Sequence, residues 1–460
     1  MTLSWTKAGV HVRTAVVVLL LIGFTVPKLF SYWSLVGDAW NLAIYHNLIW
    51  NLTHGYGYYS DVLNVHHLGE HFSPVVLLFV PVYKLGGDFM SLLLTQGLAV
   101  GLTMLLLLWL CEIVLADLAN RWRAIAISLL MVLFILYRPM LSSWQHQFQP
   151  LVLGMPLVAA GLIALHYDSR RSRVFLLVIV MLLLLTRESA ALSVLGLAIY
   201  AWLIHGRRRT GMVLATVATV TGLIVFLVVM PAFRGEDWHH YARIDPLYAW
   251  QDKLVYLSIL LVPLGLLPVM GWRVLLAAMP GVVLNLLVNY RPQYTSFCHY
   301  DAQVSVFIMA AAIHGLHHVI SFIEEDRRKH RMVYARWFAA AAVLAIAIMM
   351  RGPTVWSVAK WHLIGIRRNV NAWHELQVYI QLPANERLIS DRYLAPHLCG
   401  RADYDVLLEP EDLVELQPGL VVISRHPSSE KLHAELRIRS GVEPIAEHDG
   451  FVVYEWKFEG

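Results

Sequence analysis

Charged residues and cysteines are scarce in this 460-residue chain. Asp, Glu, Lys and Arg together make up 15% of the chain, where about 25% is usual in soluble domains. Three cysteines exclude a disulfide-rich scaffold, so free thiols are expected. A net charge of +4 is too small to predict a nucleic-acid partner. Apolar residues reach 58%, and no soluble protein of this size can bury so many. The composition therefore predicts a polytopic, mainly helical membrane protein.

Eleven apolar runs of helical length give the predicted membrane spans. They are residues 10–31, 89–116, 124–138, 150–166, 174–187, 189–204, 211–230, 253–270, 273–290, 300–320 and 333–350. A further run, 71–85, is short for a span and contains two prolines, so it predicts one re-entrant or interfacial helix. The first run lacks a small-residue cleavage site and is interpreted as an uncleaved span.

Positively charged loops predict the orientation. If the N-terminus is cytoplasmic and the run 71–85 does not cross, every strongly basic short loop lies inside, including 170–173, 207–209 and 327–331. We therefore expect a protein of the cytoplasmic (inner) membrane, with a transmembrane domain at 1–350. The remaining residues, 351–460, are expected to form a small extracytoplasmic α/β domain.

The tail itself shows strand-like and helical patterns. Strands are predicted at 387–390, 405–408, 420–424 and 451–456, and a helix at 429–440. This mixture is typical of a small α/β domain.

Polar and ionisable residues collect in the loops assigned to the outer side. The candidate site residues are Asp38, Asn41, His46, His67, Glu70, His71, His146, Arg187, Glu188, Arg291, His299 and Tyr300. This placement argues against an enzyme that uses cytoplasmic nucleotides. Arg187 and Glu188 interrupt a long apolar stretch, where ionisable residues are costly and usually functional. A structural ion pair is the alternative for these two residues, and the histidines at 66–71 leave a metal site open as a second reading of that loop.

Several motifs, in this order, resemble a known family. Residues 41–51 read NLAIYHNLIWN, residues 69–74 read GEHFSP, and residues 185–188 read LTRE. They are followed by HY at 299–300 and LPAN at 382–385. The order and spacing resemble the domain-of-unknown-function 2079 family of predicted polytopic membrane proteins. That family is in turn similar to the GT-C class of membrane glycosyltransferases, and the resemblance covers nearly the whole chain.

The resemblance implies a polyprenyl-phosphate sugar as donor and a catalytic acid in the first outer loop. On this expectation, Asp38 or Glu70 takes the proton of the acceptor. Arg187, Arg291 and His71 hold the departing phosphate. The substrate-binding set is completed by Asn41, His46, His67, His146, Glu188, His299 and Tyr300.

Some positions depart from the family pattern. Asn41, His46 and Ser189 stand where acidic residues are usual, and the segment 145–150 is usually richer in Asp and His. Asn cannot act as a base, although Asp38 lies one helical turn before it. These departures leave open a non-catalytic lipid-glycan binder on the same scaffold.

The sequence thus predicts a glycosyltransferase that acts on the extracytoplasmic face, with the sugar and acceptor left open. A transporter or flippase-like protein that uses Arg187 and Glu188 as an intramembrane charge pair is one alternative. A structural membrane partner anchored by its tail is another. The cofactor is also left open, with a divalent metal as one alternative, although no metal-ligand set is predicted.

Overall fold

Helices form most of the chain before residue 380, as the apolar runs predict. The computed structural model describes residues 7–35, 39–234, 244–325, 355–383, 386–407, 412–413, 417–440 and 442–456. In chain order the helices are α1 (Lys7–Trp33), α2 (Ile44–His54), α3 (His67–Glu70), α4 (Val80–Lys84), α5 (Phe89–Val114), α6 (Asn120–Leu136), α7 (Arg138–Gln145), α8 (Pro150–Ala164), α9 (Arg170–Leu184), α10 (Ala190–Leu203), α11 (Arg208–Ile224), α12 (Met230–Arg234), α13 (Trp250–Leu261), α14 (Leu267–Met270), α15 (Trp272–Leu287), α16 (Ala302–Glu325), α17 (Val355–Ile380), α18 (Ala395–Leu398) and α19 (Glu430–Ser440).

Four segments in the described part of the chain are long and apolar enough to cross a membrane. They are Ala15–Trp33, Phe89–Val114, Arg208–Arg234 and His299–Ile323. A fifth is formed if α6 and α7, which bend by 47° at Tyr137, make one span. Shorter apolar helices occur at Pro74–Lys84, Pro150–Ala164, Ala190–Leu203 and Trp272–Leu287. The protein is therefore a helical membrane protein, and the count of eleven spans stays a prediction.

Two expectations about individual runs are wrong. The run 253–270 is not one helix, because Pro263 removes a backbone donor and Gly265 adopts a left-handed φ of 63°. The chain there divides into α13, a short 3₁₀ turn (Val262–Leu264) and α14. The predicted loop 139–149 is helical as far as Gln145 in α7. The predicted span 333–350 lies outside the described residues.

The main apolar core lies among the helices of the membrane part. α5, α8, α10, α15 and α16 contribute most of its fully buried side chains. Small residues bring these helices close together, as is usual in membrane bundles. At Gly97 of α5, a Cβ atom would lie 2.7 Å from the carbonyl oxygen of Phe24. Contact between α1 and α5 therefore requires glycine at this position.

The tail contains a five-stranded mixed sheet. Its strands are β3 (Leu388–Asp391), β4 (Tyr404–Leu407), β5 (Gly419–Ser424), β6 (Pro444–Glu447) and β7 (Phe451–Trp456), which follow a short hairpin of β1 (Tyr59–Ser60) and β2 (Val65–His66) in the first loop. The order is β4-β3-β5-β7-β6, with β4, β3 and β5 parallel and the other pairs antiparallel. The four predicted strands and the helix at 429–440 are confirmed within a residue or two, and β6 was missed.

The tail is joined to the membrane part through α17. His362 Nδ1 lies 3.1 Å from Ser34 Oγ, and Asn369 Nδ2 donates to the Ser34 carbonyl at 2.8 Å. A buried cluster joins tail residues such as Leu376 and Phe451 to Ile44 of α2, in the segment between α1 and α5. The tail thus covers the loop that carries several predicted site residues. All three cysteines are free, as expected.

Candidate active site

Arg187 lies in the break between α9 and α10. The helices end at Leu184 and begin again at Ala190, which leaves five residues outside regular helix, where some backbone groups need partners from elsewhere. The Leu185 carbonyl accepts from the Val75 amide at 2.9 Å. This bond fixes the segment after the GEHFSP motif against the break. The predicted re-entrant segment is therefore part of the same structure as Arg187.

The Arg187 guanidinium is buried and makes contacts on three sides. Nη2 donates to His71 Nε2 at 2.8 Å, and Nη1 donates to His299 Nε2 at 3.0 Å. Nη1 also lies 3.3 Å from Gln149 Oε1. The Tyr300 ring centre is 5.7 Å from the guanidinium carbon, within cation–π range. Four side chains from distant parts of the sequence thus meet at one cation.

Glu188 holds this cluster together. Its Oε1 accepts from Arg187 Nε at 3.2 Å and lies 3.1 Å from His71 Nδ1, and its Oε2 accepts from the Phe72 amide at 3.0 Å. Burial alone would raise the pKa of this carboxyl, but the nearby His71 and Arg187 hold it well below its usual range. Glu188 is therefore ionised and fully engaged.

A chain of polar side chains extends from Arg187 to the segment between α1 and α2. Gln149 receives the Arg187 contact at Oε1 and donates through Nε2 to Asn41 Oδ1. The His146 ring packs edge-on against His299 at 5.6 Å between ring centres. Asn41 and His146, both predicted from sequence, therefore lie one side chain away from Arg187.

A cavity of about 600 Å³, called the first cavity below, opens beside this cluster. Its polar end is formed by Glu70, His71, Arg187, Glu188, Arg234 and Tyr300. The rest is mainly apolar, with Leu192, Phe226, Leu227 and Met230 among the lining residues. Phe226 and Leu227 are also exposed, on a helix with little of its surface buried. The lining of this cavity therefore combines exposed apolar side chains of an apolar helix with a buried cation.

Glu70 is the carboxylate in this cavity without a partner. Glu70 makes no hydrogen bond or ion pair with any other residue that the structure describes, whereas Glu188 makes three. Its position depends on the preceding glycine, because a Cβ at Gly69 would lie 2.7 Å from the Phe233 carbonyl oxygen. Glycine therefore lets the GEHFSP motif approach α12. This arrangement leaves Glu70 available to accept a proton inside the cavity.

Two predicted residues, His46 and Arg291, lie apart from this cluster. His46 is buried and bonded to the Tyr83 hydroxyl at 2.9 Å, beside a smaller cavity of about 250 Å³, and burial lowers its pKa to about 4. Arg291 is exposed and 3.7 Å from Asp252. Asp38 lies outside the described residues.

His67 is buried between the cluster and α2. Its ring lies 6.1 Å from that of His71, and neither ring nitrogen has a hydrogen-bond partner in the described part of the chain. Burial, together with the nearby His71, lowers its pKa to about 3. His67 is therefore neutral and close to the site without touching the cavity.

The predicted histidine-rich loop is not arranged around a metal ion. Among the described residues, no group of three or more His, Cys, Asp or Glu side chains is placed to hold one. In the 66–71 segment, His66 stacks on Phe233 at 4.2 Å, and His71 faces Arg187. The rings therefore point to different partners.

Sequence reasoning missed two residues of the cluster. Gln149 links Asn41 to Arg187, and Arg234 supplies a second cation to the cavity. Gln149 stands directly before a proline that opens α8, a position where polar side chains commonly face a loop junction. The sequence therefore shows a polar residue at this position, but nothing in it indicates a contact with Arg187.

Comparisons with known proteins agree with this description. A family model described as "Predicted membrane protein (DUF2079)" matches residues 31–453. No curated protein matches the chain. The crystal structure of ArnT from Cupriavidus metallidurans bound to undecaprenyl phosphate is similar, with a TM-score of 0.54 and 16% identity over 96% of this chain and 97% of ArnT. The structure of ArnT in the apo state gives the same TM-score and identity over 98% of each chain. The chain thus has the fold of ArnT over nearly its whole length.

Proposed function

The chain belongs to the DUF2079 family of predicted membrane proteins, as its motifs indicated, and we propose that it is a membrane glycosyltransferase that uses a polyprenyl-phosphate sugar. One observation carries the proposal. A buried Arg187 closes the polar end of an apolar cavity whose lining includes exposed side chains of an apolar helix. A lipid chain with an anionic phosphate head has matching chemistry, because apolar walls accept the chain and a guanidinium binds phosphate bidentately. The solved structure of ArnT, which has this fold, is bound to undecaprenyl phosphate.

The residues around the cavity have the chemistry that transfer requires. A hydroxyl oxygen of the acceptor attacks the anomeric carbon of the donor sugar, and the bond from that carbon to the phosphate oxygen breaks. The leaving polyprenyl phosphate takes the bonding electron pair, and Arg187 and Arg234 neutralise its charge. The acceptor proton passes to a carboxylate. Glu70 is the candidate base in the described cavity, with Asp38 as the second candidate.

The remaining predicted residues have supporting roles in this proposal. Glu188 keeps His71 and Arg187 in place, and Tyr300 and His299 support the guanidinium from the other side. Asn41 and His146 face the acceptor side. Arg291, His46 and His67 stay predictions as substrate-binding residues.

The membrane arrangement belongs to the same proposal. Short helices such as Pro150–Ala164 and Trp272–Leu287 supply the spans beyond the four or five long ones, for a total of about eleven. The loops with Glu70, Arg187 and His299 then face away from the cytoplasm, together with the tail from residue 351. The basic loops 170–173 and 207–209 face the cytoplasm.

A donor-turnover assay tests the proposal. The purified protein, with and without divalent metal, is given a panel of radiolabelled polyprenyl-phosphate sugars and a membrane extract as acceptor source. We expect one donor to lose its sugar with wild-type protein, and Glu70→Gln to abolish that loss without lowering the folded yield. Equal turnover by wild type and variant would remove Glu70 from the mechanism. No turnover from any donor by folded protein would contradict the enzyme and favour the lipid-glycan binder that Asn41 leaves open.

A further inference from the structure

Another cavity, called the second cavity below, lies between the membrane part and the loops of the tail. It has a volume of about 650 Å³ and is lined by residues of α1, of the segment after α7, of α17 and of the tail loops. Six of the lining residues carry a charge or an aromatic ring that a ligand could contact: Lys28, His146, Trp361, Arg392, Tyr393 and His426. Asn41 also lines this cavity. Since Asn41 is joined through Gln149 to Arg187, the two cavities are separated by little more than one polar side chain.

Loops that follow the parallel strands β3 and β5 of the tail sheet line this cavity. From β3 the chain passes to β4 on one side and then to β5 on the other, so the carboxyl ends of β3 and β5 form a topological switch point. Ligands of open α/β sheets commonly bind in the crevice at such a point. Arg392 and Tyr393 directly follow β3, and His426 follows β5 by two residues.

A buried carboxylate fixes this edge. Asp391, at the end of β3, accepts from the Leu394 amide at 3.2 Å and from the Ser424 amide at 3.2 Å. The Ser429 hydroxyl donates to the same carboxylate at 2.5 Å. These bonds tie together the loops after β3 and β5. The Tyr393 and His426 rings, which those loops carry, stack with 3.9 Å between their centres.

The lining of the second cavity favours an anion. Lys28 and Arg392 are both present, and no Asp or Glu is among the described residues that line it. Lys28 is 4% exposed and donates to the carbonyls of Gln145 at 3.2 Å and His146 at 2.5 Å. The Lys28 nitrogen also lies 5.7 Å from the centre of the Trp144 ring. A cation is buried only where an anionic or polar partner compensates it.

The same lining favours a sugar ring. Trp361 is 53% exposed and lines the cavity near the stacked Tyr393 and His426. Aromatic faces offer an apolar surface with a polar edge, and amide groups such as Asn41 can bond to hydroxyls. Cations, aromatic faces and amides together match a saccharide that carries a negative charge.

We infer that this second cavity binds the acceptor of the transferred sugar, and that the acceptor is an anionic saccharide held by Lys28, Arg392 and the Tyr393–His426 stack. The inference rests on the proposed glycosyltransferase function. It places an acceptor hydroxyl on the Asn41 side of Arg187, opposite the donor cavity. It also gives the tail a part in the site, since Arg392, Tyr393 and His426 belong to it.

Ligand-observed NMR titration of the full-length protein in detergent tests the inference without the donor. N-acetylglucosamine 1-phosphate is the charged probe, and N-acetylglucosamine and inorganic phosphate are the matched neutral and sugar-free probes. We expect wild-type protein to bind the sugar phosphate at least tenfold more tightly than either control probe. Arg392→Ala and Tyr393→Ala should each weaken this binding about tenfold or more. Arg425→Ala, an exposed arginine outside the cavity that pairs with Glu447 at 2.7 Å, should bind like wild type.

Several results would overturn the inference. These are no binding of the sugar phosphate by wild type at millimolar concentration, equal binding of the neutral sugar or of inorganic phosphate, and unchanged affinity in both cavity variants. Because this assay contains no lipid donor, its result is independent of the turnover assay. Sugar-phosphate binding without donor turnover would count against the proposed enzyme and leave the anion-binding cavity in place.

Discussion

At the scale of single residues, Arg187 is the side chain on which the site depends. Its guanidinium contacts His71, His299, Gln149 and Glu188 at the same time. Lysine keeps the charge, but its ammonium group cannot donate two parallel hydrogen bonds to one phosphate as the planar guanidinium can. We expect Arg187→Lys to lower donor turnover about 100-fold or more, since a single electrostatic donor is worth about that much. Radiolabel release measures it, and Arg123→Lys, whose side chain makes an exposed bond to Asn120, serves as the control that should stay within twofold. Full activity of Arg187→Lys would contradict a site in which the guanidinium binds the phosphate through two parallel hydrogen bonds.

Glu188 is expected to matter for stability as well as for activity. Replacement by Gln removes the charge that compensates the buried Arg187 and weakens the contact with His71. We expect Glu188→Gln to lower the free energy of unfolding by about 3 kcal/mol. Denaturant unfolding in detergent measures this change. The exposed pair of Glu447 and Arg425 provides the comparison: Glu447→Gln should cost less than about 1 kcal/mol. A similar small cost for both variants would show that the Arg187–Glu188 pair is not structural.

Because His67 is buried and neutral, we expect the stability of the protein to depend on pH. Its pKa is lowered to about 3 in the folded protein because it is buried, while the unfolded value is about 6.5. Between these values the unfolded chain binds more protons, so stability falls as the pH decreases through this window, by at most about 1.4 kcal/mol per pH unit for this residue. The thermal midpoint should therefore drop between pH 7 and pH 5, and His67→Phe should reduce the drop. The exposed His54→Phe should not, and an unchanged drop in His67→Phe would contradict a neutral buried His67.

At the scale of elements, the contact between α3 and α12 depends on Gly69. A Cβ there would lie 2.7 Å from the Phe233 carbonyl oxygen and 2.9 Å from the Arg234 Cα, and neither backbone atom can move without its helix. We expect Gly69→Ala to lower the thermal midpoint and donor turnover together. Gly23→Ala in α1 is the control, because no atom lies within 4 Å of the Cβ it adds. Alanine there favours the helix by about 1 kcal/mol. Equal behaviour of the two variants would contradict a close approach at Gly69.

The sequence predicted elements well where one physical signal dominates. The length of apolar runs placed α5, α11 and α16, and short strand-like apolar runs placed β5 and β7, because each pattern follows directly from burial. The helix α17 was not predicted as an element. Its buried positions, such as Ala359, His362, Ala372 and Leu376, include a polar residue and rest on Ser34 and on the tail core. Its burial is thus decided by tertiary neighbours that no local pattern reveals.

At the scale of the whole molecule, the loops between the helices and the tail together form the site region. The sequence predicts that Glu70, His71, Arg187, His299 and Tyr300 lie on one side of the membrane. The structure brings Glu70, His71, Arg187 and Tyr300 to one cavity, and His299 is bonded to Arg187 beside it. The sequence did not indicate a second cavity, because Lys28, Asn41 and Arg392 are distant in the chain and meet only after the tail covers the first loop. The distribution of positive charge predicts the side of the membrane, whereas the position of one cavity next to the other is visible only in the three-dimensional structure.

The position of the lipid donor tests the account most directly. A polyprenyl phosphate with a photoreactive group on the isoprenoid units nearest the phosphate is bound to the full-length protein, irradiated and mapped by mass spectrometry. We predict labelling of residues that line the first cavity, above all in the peptide that contains Phe226, Leu227 and Met230. Unlabelled polyprenyl phosphate should compete for this labelling, and Arg187→Gln should abolish it. Labelling at the second cavity, or labelling that Arg187→Gln leaves unchanged, would contradict a lipid-phosphate site at Arg187.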